Sequence, residues 1–126
     1  MIIGLGIDLV EINRVKKIIQ RWGEVFITRL FTQQEIEYCE DKNNNKYQSY
    51  AGKFAAKEAF LKALGWGLWK IEWKEIEILN DNKGRPFIYS SERIKEIFTQ
   101  KKIYNHLISI THTKNYVIAE VLLETK

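Results

Sequence analysis

The chain opens on alternating apolar positions. In residues 2–10 (IIGLGIDLV), Ile3, Leu5, Ile7 and Leu9 fall on one side and Ile2, Gly4, Gly6, Asp8 and Val10 on the other, the two-residue period of a strand. The period then lengthens. Ile12, Val15, Ile18, Ile19 and Trp22 form an apolar stripe at helical spacing, which predicts an amphipathic helix over 11–22. Thr32 with Glu35 three residues later is a capping-box pattern, and the helix it starts runs to about Glu40, before the polar loop at Asn43-Asn44-Asn45. Residues 47–64 predict the strongest helix, with Gly65 as its stop. Beyond it, 72–80 alternates as a strand, Asp81 to Pro86 turns, and 87–89 returns as a second strand. A helix over 91–101, capped by Ser90 and Ser91, leads to a hairpin of strands 106–112 and 116–123 joined by Thr113-Lys114-Asn115. Helices and antiparallel strands mix without a βαβ rhythm. The expected class is α+β: a small antiparallel sheet packed with a long central helix and shorter helices, one domain over 1–126.

Two details of this pattern carry chemistry. Glycine weakens a strand, so Gly4 and Gly6 on the face of Asp8 predict a close approach by another group, or else a bulge or tight packing. In the long helix, Ala51, Ala55, Ala56, Ala59 and Ala63 make a small-residue face, and Tyr50, Phe54, Phe60, Leu61 and Leu64 fill another. Only the ridges Lys53–Lys57 and Glu58–Lys62 remain charged. This leaves no broad solvent face, which predicts a central helix whose few charges are put to use.

Composition narrows the partners without choosing one. A length of 126 residues suits one domain with a modest core. Apolar runs are short and broken by charge, so no membrane-spanning helix is expected. Met1-Ile2-Ile3-Gly4 has no basic segment and reads as strand, against a signal peptide. The single cysteine, Cys39, cannot form an internal disulfide and fits a reducing cytoplasm, the expected location. Net charge of +4 suits an acidic partner, whether a protein surface, a phosphorylated metabolite or nucleic acid.

Asp8 and Glu58 are each a carboxylate inside an otherwise apolar element, which is costly without a cation or donors. Each has an ordinary explanation: Asp8 as a cap for the helix that follows, Glu58–Lys62 as an i,i+4 surface pair. Together, with Lys62 one turn from Glu58, they point to a hard divalent cation and a phosphate ligand. Gly4-Leu5-Gly6 lacks the third glycine and following helix of a dinucleotide fingerprint.

The chain resembles the holo-acyl-carrier-protein synthases, small 4′-phosphopantetheinyl transferases. The resemblance spans nearly its full length. It rests on GIDLVEI at 6–12, KFAAKEAFLKALG at 53–65, the turn Lys83-Gly84-Arg85-Pro86, and Ser109-Ile110-Thr111-His112-Thr113. It implies a Mg²⁺-dependent enzyme of fatty-acid biosynthesis that moves the phosphopantetheine arm of coenzyme A to a serine of apo acyl carrier protein, releasing adenosine 3′,5′-bisphosphate. It also implies a homotrimer with active sites between subunits. In family terms Asp8 and Glu58 hold the metal, and Glu58 and Lys62 are catalytic, with either Glu58 or a metal-bound water taking the serine proton. Lys62 and Gly65 meet coenzyme A, as do Lys83, Gly84, Arg85, Pro86, Thr111, His112 and Thr113. A helix face carrying Arg14, Lys17 and Arg21 docks the acidic carrier, or is an ordinary solvated face. Lys53 stands where the family commonly has arginine, which keeps the charge and loses the planar fork. His106, on the face of Ile108 and Ile110, reads as structural.

Two other classes compete. A basic binding module for nucleic acid would use four tryptophans and six tyrosines as stacking platforms, although most of them occupy apolar-stripe positions and no RRM, KH or zinc-knuckle signature is present. A different metal-dependent phosphoryl enzyme, such as a small nuclease, would use the same carboxylate pair.

Overall fold

The computed structural model describes residues 1–65 and 70–126. In chain order β1 (Ile2–Glu11), α1 (Ile12–Trp22), α2 (Glu24–Leu30) and α3 (Gln33–Glu40) lead into the long α4 (Lys46–Leu64). Then come β2 (Ile78–Asn80), β3 (Pro86–Ile88), α5 (Glu92–Lys101), β4 (Ile103–His112) and β5 (Tyr116–Thr125). An antiparallel sheet has strand order β1-β5-β4, and β2-β3 form a separate two-stranded ribbon. The class is α+β, as expected.

Helix α4 lies across one face of the sheet. A Cβ on Gly6 would stand only 2.8 Å from the Ala63 nitrogen and closer still to the Ala59 carbonyl, and one on Gly4 would strike the Ala63 carbonyl. Hence the close approach that the glycines predict is the backbone of α4. At the other end of the helix, Gly52 sits over Ile110 and Val117. The helix therefore runs from the β4–β5 hairpin end across to β1. Its alanine face is buried, together with Tyr50, Phe60 and Leu64.

The two inner lysines of α4 are buried as well. Lys57 donates to Glu35 Oε1 at 2.8 Å, to the Leu30 carbonyl at 2.7 Å and to the Trp73 carbonyl at 3.0 Å. Glu35 accepts in turn from the Thr32 and Ile78 amides, so one ion pair ties α2, α3, α4 and β2 together. Lys53 donates to the Ile78 carbonyl and Asn80 Oδ1, with no carboxylate in contact. Burial pushes its ammonium below the usual lysine range.

Several boundaries differ from the expectation. The predicted strand over 72–80 is strand only at Ile78–Asn80; Trp73–Glu75 is a 3₁₀ turn closed by reciprocal bonds between Glu72 and Glu75. A helix-start signal there mimics alternation. Ser91 alone caps α5, accepting from the Ile94 amide, so Ser90 has no such role. Ile18 and Trp22, read as part of the α1 stripe, are exposed, because only Val15 and Ile19 of that helix are buried. Helix α2 is an element that the apolar spacing did not reveal. The opposite sheet face is open in the single chain: Leu5, Ile7 and Leu9 on β1, Leu107 on β4 and Ile118 on β5 are exposed.

Candidate functional site

β1 and α4 build one corner. Asp8 shares the face of Gly4 and Gly6, so it leans toward the helix those glycines admit. Lys62, in the last turn of α4, donates to Asp8 Oδ1 at 3.1 Å and to the Ile7 carbonyl at 2.9 Å. Glu58 stands one turn earlier on the same ridge and is half-buried. Burial and, next, the negative charge of Asp8 raise its carboxyl above the usual range, while Lys62 opposes the rise. Asp8 and Lys62 are thus in direct contact, with Glu58 one turn from Lys62 on α4. Gly65, with φ of 92°, ends the helix and donates its amide to the Lys62 carbonyl.

A second feature lies at the other end of α4. A cleft of about 270 Å³ is lined by Tyr38, Lys42, Lys53, Gly84, Pro86 and His112, among others. The turn that presents Gly84 and Pro86 is held by Asp81, whose Oδ1 accepts from the amides of Lys83 and Arg85. Gly84, with φ of 84°, supplies the left-handed position that this turn requires. Lys83 and Arg85 are exposed on the turn and do not line the cleft, nor does Thr111. Thr113 closes the β4–β5 hairpin, its hydroxyl accepting from the Asn115 and Tyr116 amides.

The candidate residues therefore fall into two groups. Asp8, Glu58 and Lys62 come together; Gly84, Pro86 and His112 come together; none of the first three lines the cleft of the second. Tyr38, Lys42 and Asn80 also line the cleft and were not singled out. Lys42 adjoins an asparagine run that reads as a plain polar loop, and only the approach of α4 and β2 turns it into a wall. Arg14, Lys17 and Arg21 are all exposed on α1. Trp22 joins them, with the Arg21 guanidinium 5.2 Å from its ring centre.

His106 is structural, as expected: its Nε2 accepts from the Ile88 amide at 3.1 Å, joining β4 to β3, and Phe98 packs beside the ring. Cys39 is fully buried, and burial pushes its thiol up to about 11, so it stays protonated and inert. Of the tyrosines and tryptophans offered as stacking platforms, Tyr50 is a core residue, whereas Trp22, Tyr89, Tyr104 and Tyr116 are exposed; Trp66 and Trp69 lie outside the described residues. No described helix is long and apolar enough to cross a membrane.

Comparison with known proteins identifies the family. The family profile of the 4′-phosphopantetheinyl transferase superfamily matches residues 4–121. A holo-[acyl-carrier-protein] synthase of Geobacter sp. is 43% identical over 125 residues, covering 98% of this chain and 99% of its own. Among solved structures, the holo-[acyl-carrier-protein] synthase of Neisseria meningitidis superposes with a TM-score of 0.89 at 28% identity, covering 99% of this chain and 100% of that one. The Helicobacter pylori holo-[acyl-carrier-protein] synthase, solved in complex with coenzyme A, gives a TM-score of 0.82 at 36% identity over 95% of this chain and 99% of that one. The chain is an enzyme of the 4′-phosphopantetheinyl transferase superfamily and belongs to its holo-[acyl-carrier-protein] synthase group.

Proposed function

We propose that the chain transfers the 4′-phosphopantetheine arm of coenzyme A to a serine of apo acyl carrier protein, with Mg²⁺ at Asp8 and Glu58, and releases adenosine 3′,5′-bisphosphate. The observation that carries this reading is the meeting of Asp8, Glu58 and Lys62 from segments fifty residues apart. The corner suits a cation: Asp8 and the Ile7 carbonyl already receive one, the Lys62 ammonium. No cluster of three or more histidine, cysteine, aspartate or glutamate side chains is present among the described residues. This favours an ion that takes one or two carboxylates and completes its shell with phosphate oxygens and water, as Mg²⁺ does, over zinc.

Bound there, Mg²⁺ would polarise the diphosphate and offset the charge that develops on it. The chain's own residues do the rest. Lys62, on a flexible stem, reaches a phosphate oxygen and stabilises the leaving phosphate. Glu58 is held with a raised affinity for protons and so suits removal of the proton from the attacking serine hydroxyl. In the cleft, Lys53 and His112 border the adenosine and its 3′-phosphate, with Gly84 and Pro86 along the same wall. Lys83, Arg85, Thr111 and Thr113 frame that end from outside, and Gly65 lets the Lys62 turn close on the diphosphate.

One substrate must then span two regions that one chain keeps apart. A homotrimer in which the corner of one subunit faces the cleft of the next answers this. It also covers the open sheet face, where Leu5 is 60% and Ile7 55% exposed. Arg14, Lys17 and Arg21 offer a positive dock for an acidic carrier, and the same reading assigns the enzyme to fatty-acid synthesis in the cytoplasm.

The test is direct. Apo acyl carrier protein incubated with coenzyme A and Mg²⁺ gains the mass of one phosphopantetheine arm, and Asp8→Ala or Glu58→Ala abolishes the gain while circular dichroism stays native. Full activity in either variant contradicts the assignment. Sizing of the purified protein reads the trimer.

A further inference from the structure

Lys62 contacts two oxygens of β1 at once: Asp8 Oδ1 at 3.1 Å and the Ile7 carbonyl at 2.9 Å. This is more than a chance surface pair. The Asp8 side chain is 16% exposed and that of Lys62 39%, so the partners are partly withdrawn from water. Glu58 adds a second carboxylate one turn away on the same ridge of α4. Those same oxygens are the ones that a divalent ion held by Asp8 and Glu58 would approach.

We propose that Lys62 serves as an internal stand-in cation: it holds Asp8 and the β1 edge in place, and it must swing away before a divalent ion can engage Asp8. This rests on the cation reading of Asp8 and Glu58 given above. The argument is electrostatic. A divalent ion and an ammonium both touching one carboxylate repel each other strongly at contact distance, so they do not share Asp8 comfortably. The lysine stem is long and its three donors rotate freely, so release costs little once another acceptor is present. A diphosphate is that acceptor. Coenzyme A gives Lys62 a new partner as it arrives, and the two ligands therefore strengthen each other's binding. Lys62 thus makes tight divalent binding conditional on the substrate, a role distinct from its contact with the phosphate itself.

The experiment uses Mn²⁺ as probe, titrated into the full chain and followed by electron paramagnetic resonance. Without coenzyme A, Lys62→Met binds Mn²⁺ about tenfold more tightly than the native chain, because the competing charge is gone. Coenzyme A tightens Mn²⁺ binding by a larger factor in the native chain than in Lys62→Met. A crystal of the native chain soaked in Mn²⁺ has the Lys62 ammonium more than about 4 Å from both Asp8 Oδ1 and the Ile7 carbonyl, beyond ion-pair reach. Equal Mn²⁺ affinity in the two proteins, or a Mn²⁺ ion on Asp8 and Glu58 with Lys62 still donating to both oxygens, overturns the stand-in role alone. Failure of both proteins to bind Mn²⁺ overturns the cation reading, and the stand-in role falls with it.

Discussion

Replacing Lys57 by methionine removes the cation at the centre of the fold without creating a large cavity. Three acceptors lose their donor: Glu35 Oε1, the Leu30 carbonyl and the Trp73 carbonyl. Both side chains of the ion pair are 0% exposed, so water cannot replace the lost bonds. Breaking a buried pair by deleting one partner costs about 3–5 kcal/mol, since the surviving charge stays buried. For a domain of this size, that lowers the melting temperature by about 12–20 °C. Urea unfolding followed by far-ultraviolet circular dichroism reads the loss, with the m-value as a check that the two-state transition survives. The matched control is Lys53→Met. Lys53 donates only to the Ile78 carbonyl and Asn80 Oδ1, so its removal strands no carboxylate, and the expected cost is about 1–2 kcal/mol. Adding Glu35→Gln to Lys57→Met removes the stranded charge and recovers part of the stability, a coupling that a double-mutant cycle measures. A loss below about 1 kcal/mol for Lys57→Met, or a loss no greater than that of Lys53→Met, would refute the reasoning.

Three further outcomes follow from the same geometry. Gly6→Ala forces β1 away from Ala59 and Ala63, which costs about 1–3 kcal/mol or more and moves Asp8 from Glu58; thermal melts and a Mn²⁺ titration should both deteriorate. His106 is neutral where it accepts from the Ile88 amide, and burial lowers its folded value below the ordinary 6.5. The unfolded chain therefore takes up the proton first as pH drops, so this contribution is present above 6.5 and is lost as pH falls through the folded value; stability measured against pH should decline there, and less in His106→Gln. Reversing the charge of Arg14, Lys17 and Arg21 to glutamate should lower kcat/KM for the carrier roughly tenfold at low salt and less at high salt, with the KM for coenzyme A unchanged.

Much of the arrangement is legible in the sequence where a local rule governs it. The period of 2–10, the capping box at Thr32 and Glu35, and the small-residue face of α4 each place an element correctly because they depend on neighbours along the chain. What depends on distant partners is not legible. Alternation gives β1 two faces without saying which α4 covers, and the apolar one proves to be the open one. Lys57 reads as a charged ridge because Glu35, Leu30 and Trp73 reach it only through tertiary packing. Helix α2 is seven residues of EVFITRL, rich in β-branched side chains and too short for a period to emerge. At the site, Asp8, Glu58 and Lys62 were legible as a group. The cleft was only partly so, because Tyr38 and Lys42 at the end of α3 meet Asn80 of β2 only through tertiary packing.

The central claim is that Asp8 and Glu58 close on a single divalent ion. Calorimetric titration with Mg²⁺ in the presence of coenzyme A tests it most directly, on the native chain, Asp8→Asn and Glu58→Gln side by side. The account predicts one site per chain in the native protein and its loss in each variant. Wild-type affinity retained by either variant would contradict it.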